Sequence, residues 1–77
     1  MTKSVKNKVE KIYNKISELK DTVEEIRDNQ QEYYDERSDS WQESENGEAF
    51  AEALESLDSA ASSLDDALSY LEEVFNQ

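Results

Sequence analysis

The chain has 77 residues and a formal net charge of −12, from 20 acidic and 8 basic side chains. It contains no cysteine and no histidine, which excludes disulfides, a thiolate nucleophile, an imidazole base and the usual zinc sites. A chain of this length forms one small domain at most. Its negative charge opposes direct binding to nucleic-acid phosphates.

The first half of the chain carries an apolar series with the spacing of a heptad repeat. Its members alternate in steps of four and three residues: Val5, Val9, Ile12, Ile16, Leu19, Val23 and Ile26, continued by Gln30 and Tyr33. Such a series is typical of a coiled-coil helix. With Val9 at heptad position a and Val5 at position d, the series predicts a helix over about residues 4–36.

The periodicity lapses over about residues 37–45, a segment rich in Ser, Asp, Glu and Asn. Three serines are candidate helix N-caps: Ser38, Ser40 and Ser44. Ser40 with Glu43 also fits a capping box. The segment is therefore predicted to connect two helices, with room for one short turn around Trp41.

A second heptad series follows the connection. Its members are Phe50, Leu54, Leu57, Ala61, Leu64, Leu68, Leu71 and Phe75. No proline interrupts it, and most of the intervening residues are good helix formers. With Leu54 at position a and Phe50 at position d, this series predicts a helix over about residues 46–75.

A short connection between two long helices implies that they pack antiparallel. When a positions of one helix pack against d positions of the other, every layer folds about residue 40, within the predicted connection. The layers are Val5–Phe75, Val9–Leu71, Ile12–Leu68, Ile16–Leu64, Leu19–Ala61, Val23–Leu57, Ile26–Leu54 and Gln30–Phe50. The predicted fold class is therefore all-α: an antiparallel two-helix hairpin of the coiled-coil type, with residues 1–77 as one domain.

The charge distribution favours the same register. The first twenty residues hold six Lys and two Glu, a net +4, and the rest of the chain holds a net −16. Folding back at residue 40 places Lys6 near Glu72 and Lys20 near Asp58. Because an exposed ion pair contributes only about 0.2–1 kcal/mol, the main effect of these pairs is to disfavour other registers.

Small residues occupy position g of the second helix. They are Ala53, Ala60 and Ala67, followed by Val74. A lone hairpin buries only one seam, and burial in so small a scaffold barely offsets its conformational entropy. The three alanines are therefore a candidate self-association surface, through which two hairpins would form a four-helix bundle. A monomer with Lys stems over the row, and a partner protein in the same place, stay open as alternatives.

The sequence predicts no enzyme, no cofactor and no metal site. Adjacent carboxylates such as Glu24 and Glu25 point in different directions on a helix, so they are expected to be solvated. The acidic segment over residues 35–40 departs from a calcium-binding EF-hand loop, because Arg37 occupies the third position and no glycine the sixth.

Carboxylates crowd the region beside the connection. Residues 21–36 hold seven of them over roughly 24 Å of helix, about one per 3.4 Å, which is the phosphate spacing along one DNA strand. Such a rod can imitate a nucleic-acid backbone towards a basic groove; the alternative is an acidic surface that serves solubility alone. The candidate partner-binding acids are Glu24, Glu25, Asp28, Glu32, Asp35, Glu48, Glu52 and Glu55.

Four aromatic residues gather at the fold point: Tyr33, Tyr34, Trp41 and Phe50. One interpretation is an aromatic plug that closes the end of the hairpin. The alternative is a patch that binds a partner, because Tyr and Trp are favoured in interfaces. We expect Tyr34, at position e, and Trp41, in the connection, to be the exposed members and the candidate anchors.

Three segments carry a resemblance to known proteins: the tetrad Glu32-Tyr33-Tyr34-Asp35, the stretch Trp41-Gln42-Glu43-Ser44-Glu45-Asn46-Gly47-Glu48-Ala49, and the Leu/Asp/Ala repeat that starts at Leu54. Through them, residues 31–74 resemble small acidic proteins of uncharacterised function encoded by phages and mobile elements of Gram-positive bacteria. The resemblance implies an origin more than an activity. Elements of this kind encode acidic helical proteins that block restriction or CRISPR complexes by imitating DNA.

These observations predict a non-enzymatic acidic protein-binding module. Its expected role is that of a phage-type inhibitor or modulator that occupies a basic, nucleic-acid-binding surface of a host protein in the cytoplasm. The alternative is a structural or adaptor coiled coil that acts through self-association or by packing on a partner helix. No apolar run approaches the ~20 residues of a membrane-spanning helix, so we expect no membrane partner, and a homodimer stays open.

Overall fold

The structure, a computed structural model, describes all 77 residues and contains three helices and no strand. Helix α1 spans Lys3–Asp35, α2 is a single turn over Asp39–Gln42, and α3 spans Glu45–Phe75. The long helices α1 and α3 pack against each other in a rod whose Cα atoms extend 57 × 15 × 13 Å. The predicted all-α helical hairpin is confirmed.

Each helix begins after a hydroxyl-bearing cap. Thr2, Ser38 and Ser44 all have extended backbone angles, and each side chain accepts a hydrogen bond from the backbone N–H three residues later. This geometry satisfies one of the free donors at a helix start. The predicted capping box of Ser40 with Glu43 is wrong, because Ser40 lies inside α2 and Ser38 takes the cap position.

The interior of the hairpin is a single row along α3. The buried residues all occupy position a of that helix: Gly47, Leu54, Ala61 and Leu68. Helix α1 has no buried residue and covers the row with two half-buried rows, at positions a and e. These are Val9, Ile16 and Val23 at position a, and Lys6, Tyr13, Lys20, Arg27 and Tyr34 at position e.

The d positions of α1 are exposed, contrary to the predicted layers. Their exposed fractions are 39% for Val5, 49% for Ile12, 59% for Leu19, 47% for Ile26 and 46% for Tyr33. The layers that place these side chains in the core are therefore wrong. Helix α1 is rotated about its axis, so that side chains at position e take the place expected for position d in covering the α3 row.

Contacts between the helices fix an antiparallel register. Lys20 Nζ lies 3.0 Å from Asp65 Oδ1, whereas Arg27, one heptad later in α1, reaches the earlier Asp58 at 3.2 Å. The midpoints of these pairs lie beyond residue 42, not at residue 40. The predicted pair of Lys20 with Asp58 is therefore wrong by one heptad.

The shift has a geometric cause at both helices. Helical side chains lean towards the N-terminus of their own helix, so in an antiparallel pair each one reaches a higher-numbered partner. Lys6 follows the same rule, because its ammonium donates to the backbone carbonyl of Gln77 and not to the predicted Glu72. The ring of Tyr13 likewise packs edge-on against Phe75, with centroids 5.1 Å apart.

Candidate protein-binding surface

Aromatic rings close the connected end of the hairpin. The cluster consists of Tyr33, Tyr34, Trp41 and Phe50. Trp41 packs edge-on against the other three, with centroid distances of 5.6–6.2 Å, and Phe50 stacks on Tyr34 at an interplanar angle of 13°. Aromatic pairs in these geometries contribute about 0.5–1.5 kcal/mol beyond the area that they bury. The cluster therefore holds α1, α2 and α3 together at this end.

Arg37 covers the outer side of this cluster. Its guanidinium carbon lies 4.6 Å from the ring centroid of Trp41 and 5.6 Å from that of Tyr33, within the range of cation–π attraction. Its Nη1 also donates to the Tyr33 hydroxyl at 3.4 Å. The side chain therefore contacts aromatic rings, although acidic residues surround it in the sequence.

Gly47 lets α3 start directly against the connection. A Cβ atom at this position would lie 2.1 Å from the carbonyl oxygen of Trp41 and 2.6 Å from that of Gln42, so no side chain fits. The Gln42 amide donates to the carbonyls of Tyr34 at 2.9 Å and Arg37 at 3.3 Å. These bonds tie the single turn of α2 to the end of α1 and to the connection. The connection is thus held by packing and by hydrogen bonds.

The exposure within the cluster differs from the expectation. Tyr34 and Trp41, the expected exposed anchors, are half-buried, whereas Tyr33 is exposed. The rotation of α1 is the cause, since it turns position e inward and position d outward. Tyr33 is therefore the most exposed ring of the cluster.

The eight predicted partner-binding acids lie on the outer surface of the hairpin. All are exposed except Glu24, which is half-buried. Three have intramolecular partners: Glu24 lies 3.4 Å from Lys20, Asp28 lies 3.0 Å from Arg27, and Asp35 accepts from Gln31. The other five form no ion pair within the chain: Glu25, Glu32, Glu48, Glu52 and Glu55.

The net charge is concentrated in one half of the rod. We call residues 21–58 the acidic half; it holds 14 acidic and two basic side chains, a net −12. The remaining residues, 1–20 and 59–77, form the open half and hold six acidic and six basic side chains, a net charge of zero. The whole excess of negative charge therefore lies at the connected end.

Ion pairs line one side of the seam. Lys20 and Arg27 reach across to Asp65 and Asp58 and border a shallow polar groove with the buried Ala61 at its base. The hydrogen bond to Asp65 raises the pKa of Lys20, although desolvation opposes it. The hydrogen bond to Asp28 likewise raises the pKa of Arg27. Both cations are therefore held charged on this side of the hairpin.

The opposite side of the seam is apolar, and it combines the predicted self-association residues of α3 with a row on α1 that the predicted layers place inside. We call the exposed d positions of α1 the apolar row: Val5, Ile12, Leu19, Ile26 and Tyr33. Of the predicted self-association residues of α3, Ala53 and Ala60 are exposed and Ala67 is half-buried. In the sequence, Tyr13 and Tyr34 at position e widen the apolar stripe of α1 beyond positions a and d. That width was the signal for an uncovered row.

No group of three acidic side chains is placed so that it could share a metal ion, and no helix is both long and apolar enough to cross a membrane. No protein-family model matches the chain, and comparisons with curated proteins and with solved structures gave no match.

Proposed function

We propose that the protein is a non-enzymatic binding module whose acidic half occupies a basic, nucleic-acid-binding surface of a partner protein. The observation that carries this proposal is the separation of charge along the rod, with a net −12 in the acidic half and zero in the open half. Negative charge that serves solubility alone needs no separation along the rod. A surface that attracts one basic partner needs its negative charge gathered in one region.

The contacts that hold the acidic half together favour this role. The aromatic cluster, the buried Gly47 and the serine caps hold α1 and α3 in fixed positions beside the connection. Carboxylates such as Glu25 and Glu32, one heptad apart on α1, therefore keep a fixed spacing of roughly 10 Å. A fixed array of charge loses little conformational entropy when it binds.

The acidic half also suits competition with nucleic acid. A basic groove that binds DNA is built to neutralise closely spaced phosphates and gains affinity by releasing counterions. The unpaired carboxylates of α1 and α3 offer a similar density of charge. In this proposal the chain is a phage-type inhibitor or modulator, and it meets its partner in the cytoplasm of the host cell.

Charge reversal in each half tests the proposal. Glu25, Glu52 and Glu55 are exposed and unpaired in the acidic half, and replacing all three with Lys changes the net charge by six. The matched control replaces Glu10, Asp66 and Glu73, which are exposed in the open half, and makes the same change. Both variants and the unaltered chain are immobilised and used to capture proteins from a lysate of the host cell.

We expect the acidic-half variant to lose the captured partner at least tenfold, and the open-half control to retain it. Equal losses from both variants would mean that only total charge matters, which would contradict a defined binding half. Retention by both would mean that the carboxylates are not the binding surface. Circular dichroism of each variant checks that the hairpin is intact.

A second candidate function is that of an adaptor coiled coil, and the exposed apolar row favours it. Its test replaces Ala60 and Ala67 with Glu, which places charge beside that row. If this variant loses the captured partner while the acidic-half variant retains it, the adaptor function is correct and the acidic-surface proposal is wrong.

A further inference from the structure

The apolar row is regular, long and symmetric about its centre. Its five members recur every seven residues along α1, and the central one, Leu19, is the most exposed at 59%. From Val5 to Tyr33 the row extends over roughly 42 Å of helix. Single exposed apolar residues are ordinary, but a continuous row of this length marks an interaction surface.

The surroundings of the row are free of α3 carboxylates. The ion pairs of Lys20 and Arg27 lie at the e positions of both helices, so the d positions of α1 lie on the opposite side, next to the g positions of α3. The acids of α3 occupy only positions b, e and f. The g and c positions that border the row hold Ala53, Ala60, Ala67, Val74, Ala49, Ser56, Ser63 and Tyr70.

The size of this side fits a stable protein interface. With Cα extents of 57 × 15 Å, one broad side of the hairpin offers roughly 850 Å². A standard specific interface buries about 800 Å² on each partner. A second hairpin of the same dimensions has a footprint that matches this side.

Charge decides which orientation of a second hairpin fits. If two copies pack with their connected ends together, two acidic halves of net −12 lie side by side. If they pack antiparallel, each acidic half lies against the neutral open half of the other copy. Lys8 and Lys15, at the g positions beside the row, then face the segment of the other α1 that holds Glu25 and Glu32. Only the antiparallel orientation avoids the repulsion between two acidic halves and places lysines opposite carboxylates.

We propose that the apolar row is covered by the same row of a second copy of the chain, with the two α1 helices antiparallel and a two-fold axis beside Leu19. Leu19 packs against its own copy, Ile12 against Ile26, and Val5 against Tyr33. A small residue thus meets a large one at both ends, and the interface is self-complementary as two-fold symmetry requires. The proposal does not depend on what the acidic half binds.

Replacement at the two-fold axis tests the assembly. Leu19→Glu places two carboxylates together at the centre of the interface. Since Leu19 is exposed in the hairpin, the variant keeps its fold, which circular dichroism checks. The control Asn14→Glu adds the same charge at position f, on the outer side of α1. Sedimentation equilibrium from 1 to 500 µM measures the dissociation constant of each.

We expect the unaltered chain and Asn14→Glu to sediment as dimers of the 8.9 kDa chain, and Leu19→Glu to raise the dissociation constant by roughly 100-fold or more. A monomer at every concentration of the unaltered chain would overturn the proposal. Equal dissociation constants for Leu19→Glu and the control would place the interface elsewhere and would also overturn it.

Cross-linking tests the orientation, and the absence of native cysteine makes it clean. Under mild oxidation, Leu19→Cys is expected to form a disulfide-linked dimer. Val5→Cys is expected to cross-link with Tyr33→Cys in an equimolar mixture, but not with itself. Self-linkage of Val5→Cys with no mixed product would show that the copies are parallel. Failure of Leu19→Cys to cross-link would show that α1 does not meet α1. Either result would overturn the proposal.

Discussion

The two ends of the hairpin are held together by different means. At the connected end, four aromatic rings, Arg37 and three hydroxyl or amide side chains fix the helices, although this half carries the whole net charge. At the open end, one aromatic pair, Tyr13 with Phe75, and one bond from Lys6 join two helices whose charges balance. Aromatic contacts are therefore most numerous where repulsion between carboxylates is greatest.

This distribution also separates two parts of the surface. The acidic half presents unpaired carboxylates on a rigid end, whereas the apolar row runs through both halves along one side. Substitutions that loosen the connected end should therefore affect stability most. Substitutions at the open end should affect it least.

The largest effect is expected from Gly47→Ala. The added Cβ would lie 2.1 Å from the Trp41 carbonyl oxygen, which is backbone and cannot turn away. We expect the free energy of unfolding to fall by about 3 kcal/mol. Thermal unfolding followed by circular dichroism measures it. Asn46→Ala, an exposed neighbour in the same turn, serves as the control and should change little.

Trp41→Ala is compared with Phe75→Ala to set the two ends against each other. Trp41 contacts three rings and a guanidinium, so its loss should cost about 2 kcal/mol. Phe75 contacts one ring at a terminus that frays, so its loss should cost about 1 kcal/mol. If urea unfolding showed a greater loss of unfolding free energy for Phe75→Ala than for Trp41→Ala, the open end would be the more strongly held one, contrary to this prediction.

The capping serines provide the next effect. Ser44→Ala removes the acceptor for the Gly47 N–H at the start of α3 and should cost about 1 kcal/mol. Ser40→Ala, inside α2 and exposed, should stay within about 0.5 kcal/mol. Equal losses of unfolding free energy for the two variants, measured by urea unfolding, would contradict this prediction and support the capping box at Ser40.

Salt should stabilise the hairpin, because it screens the repulsion concentrated in the acidic half. We expect the melting temperature to rise by a few degrees between about 20 and 300 mM sodium chloride. The rise should be smaller when Glu25, Glu52 and Glu55 are replaced with Lys than when Glu10, Asp66 and Glu73 are. The same slope in both variants would mean that repulsion is spread along the rod.

The smallest effect concerns pH and Lys20. The hydrogen bond to Asp65 raises the folded-state pKa of Lys20 above 10.5. The contribution of Lys20 to the free energy of unfolding is therefore complete below that pH and is lost as the pH rises through the folded-state pKa. The stability difference between the unaltered chain and Lys20→Gln should therefore shrink in strongly alkaline buffer. Lys11→Gln, at an exposed lysine with no ion pair, should show no such trend.

The sequence predicts the hairpin because two heptad series and a connection rich in polar residues agree. It could not predict the rotation of α1, because heptad spacing gives the direction of an apolar stripe but not which edge of a wide stripe meets the partner. Lys20 and Arg27 at position e decide that choice through their contacts with Asp65 and Asp58. The same rotation exposes Tyr33 and Leu19, which the layers had placed inside.

The charge of the candidate site could be predicted from the sequence, because it depends only on which residues each segment contains. The contacts of each carboxylate could not be predicted from the sequence, because they depend on the register of the two helices. The one-heptad shift, for example, gives Asp58 to Arg27 instead of Lys20.

The most direct test of the acidic-half proposal is the salt and competitor dependence of binding to the captured partner. We expect the affinity to fall at least tenfold between 50 and 500 mM salt, and duplex DNA to displace the chain from the partner. Equal affinity at both salt concentrations, with no displacement by DNA or RNA, would contradict it.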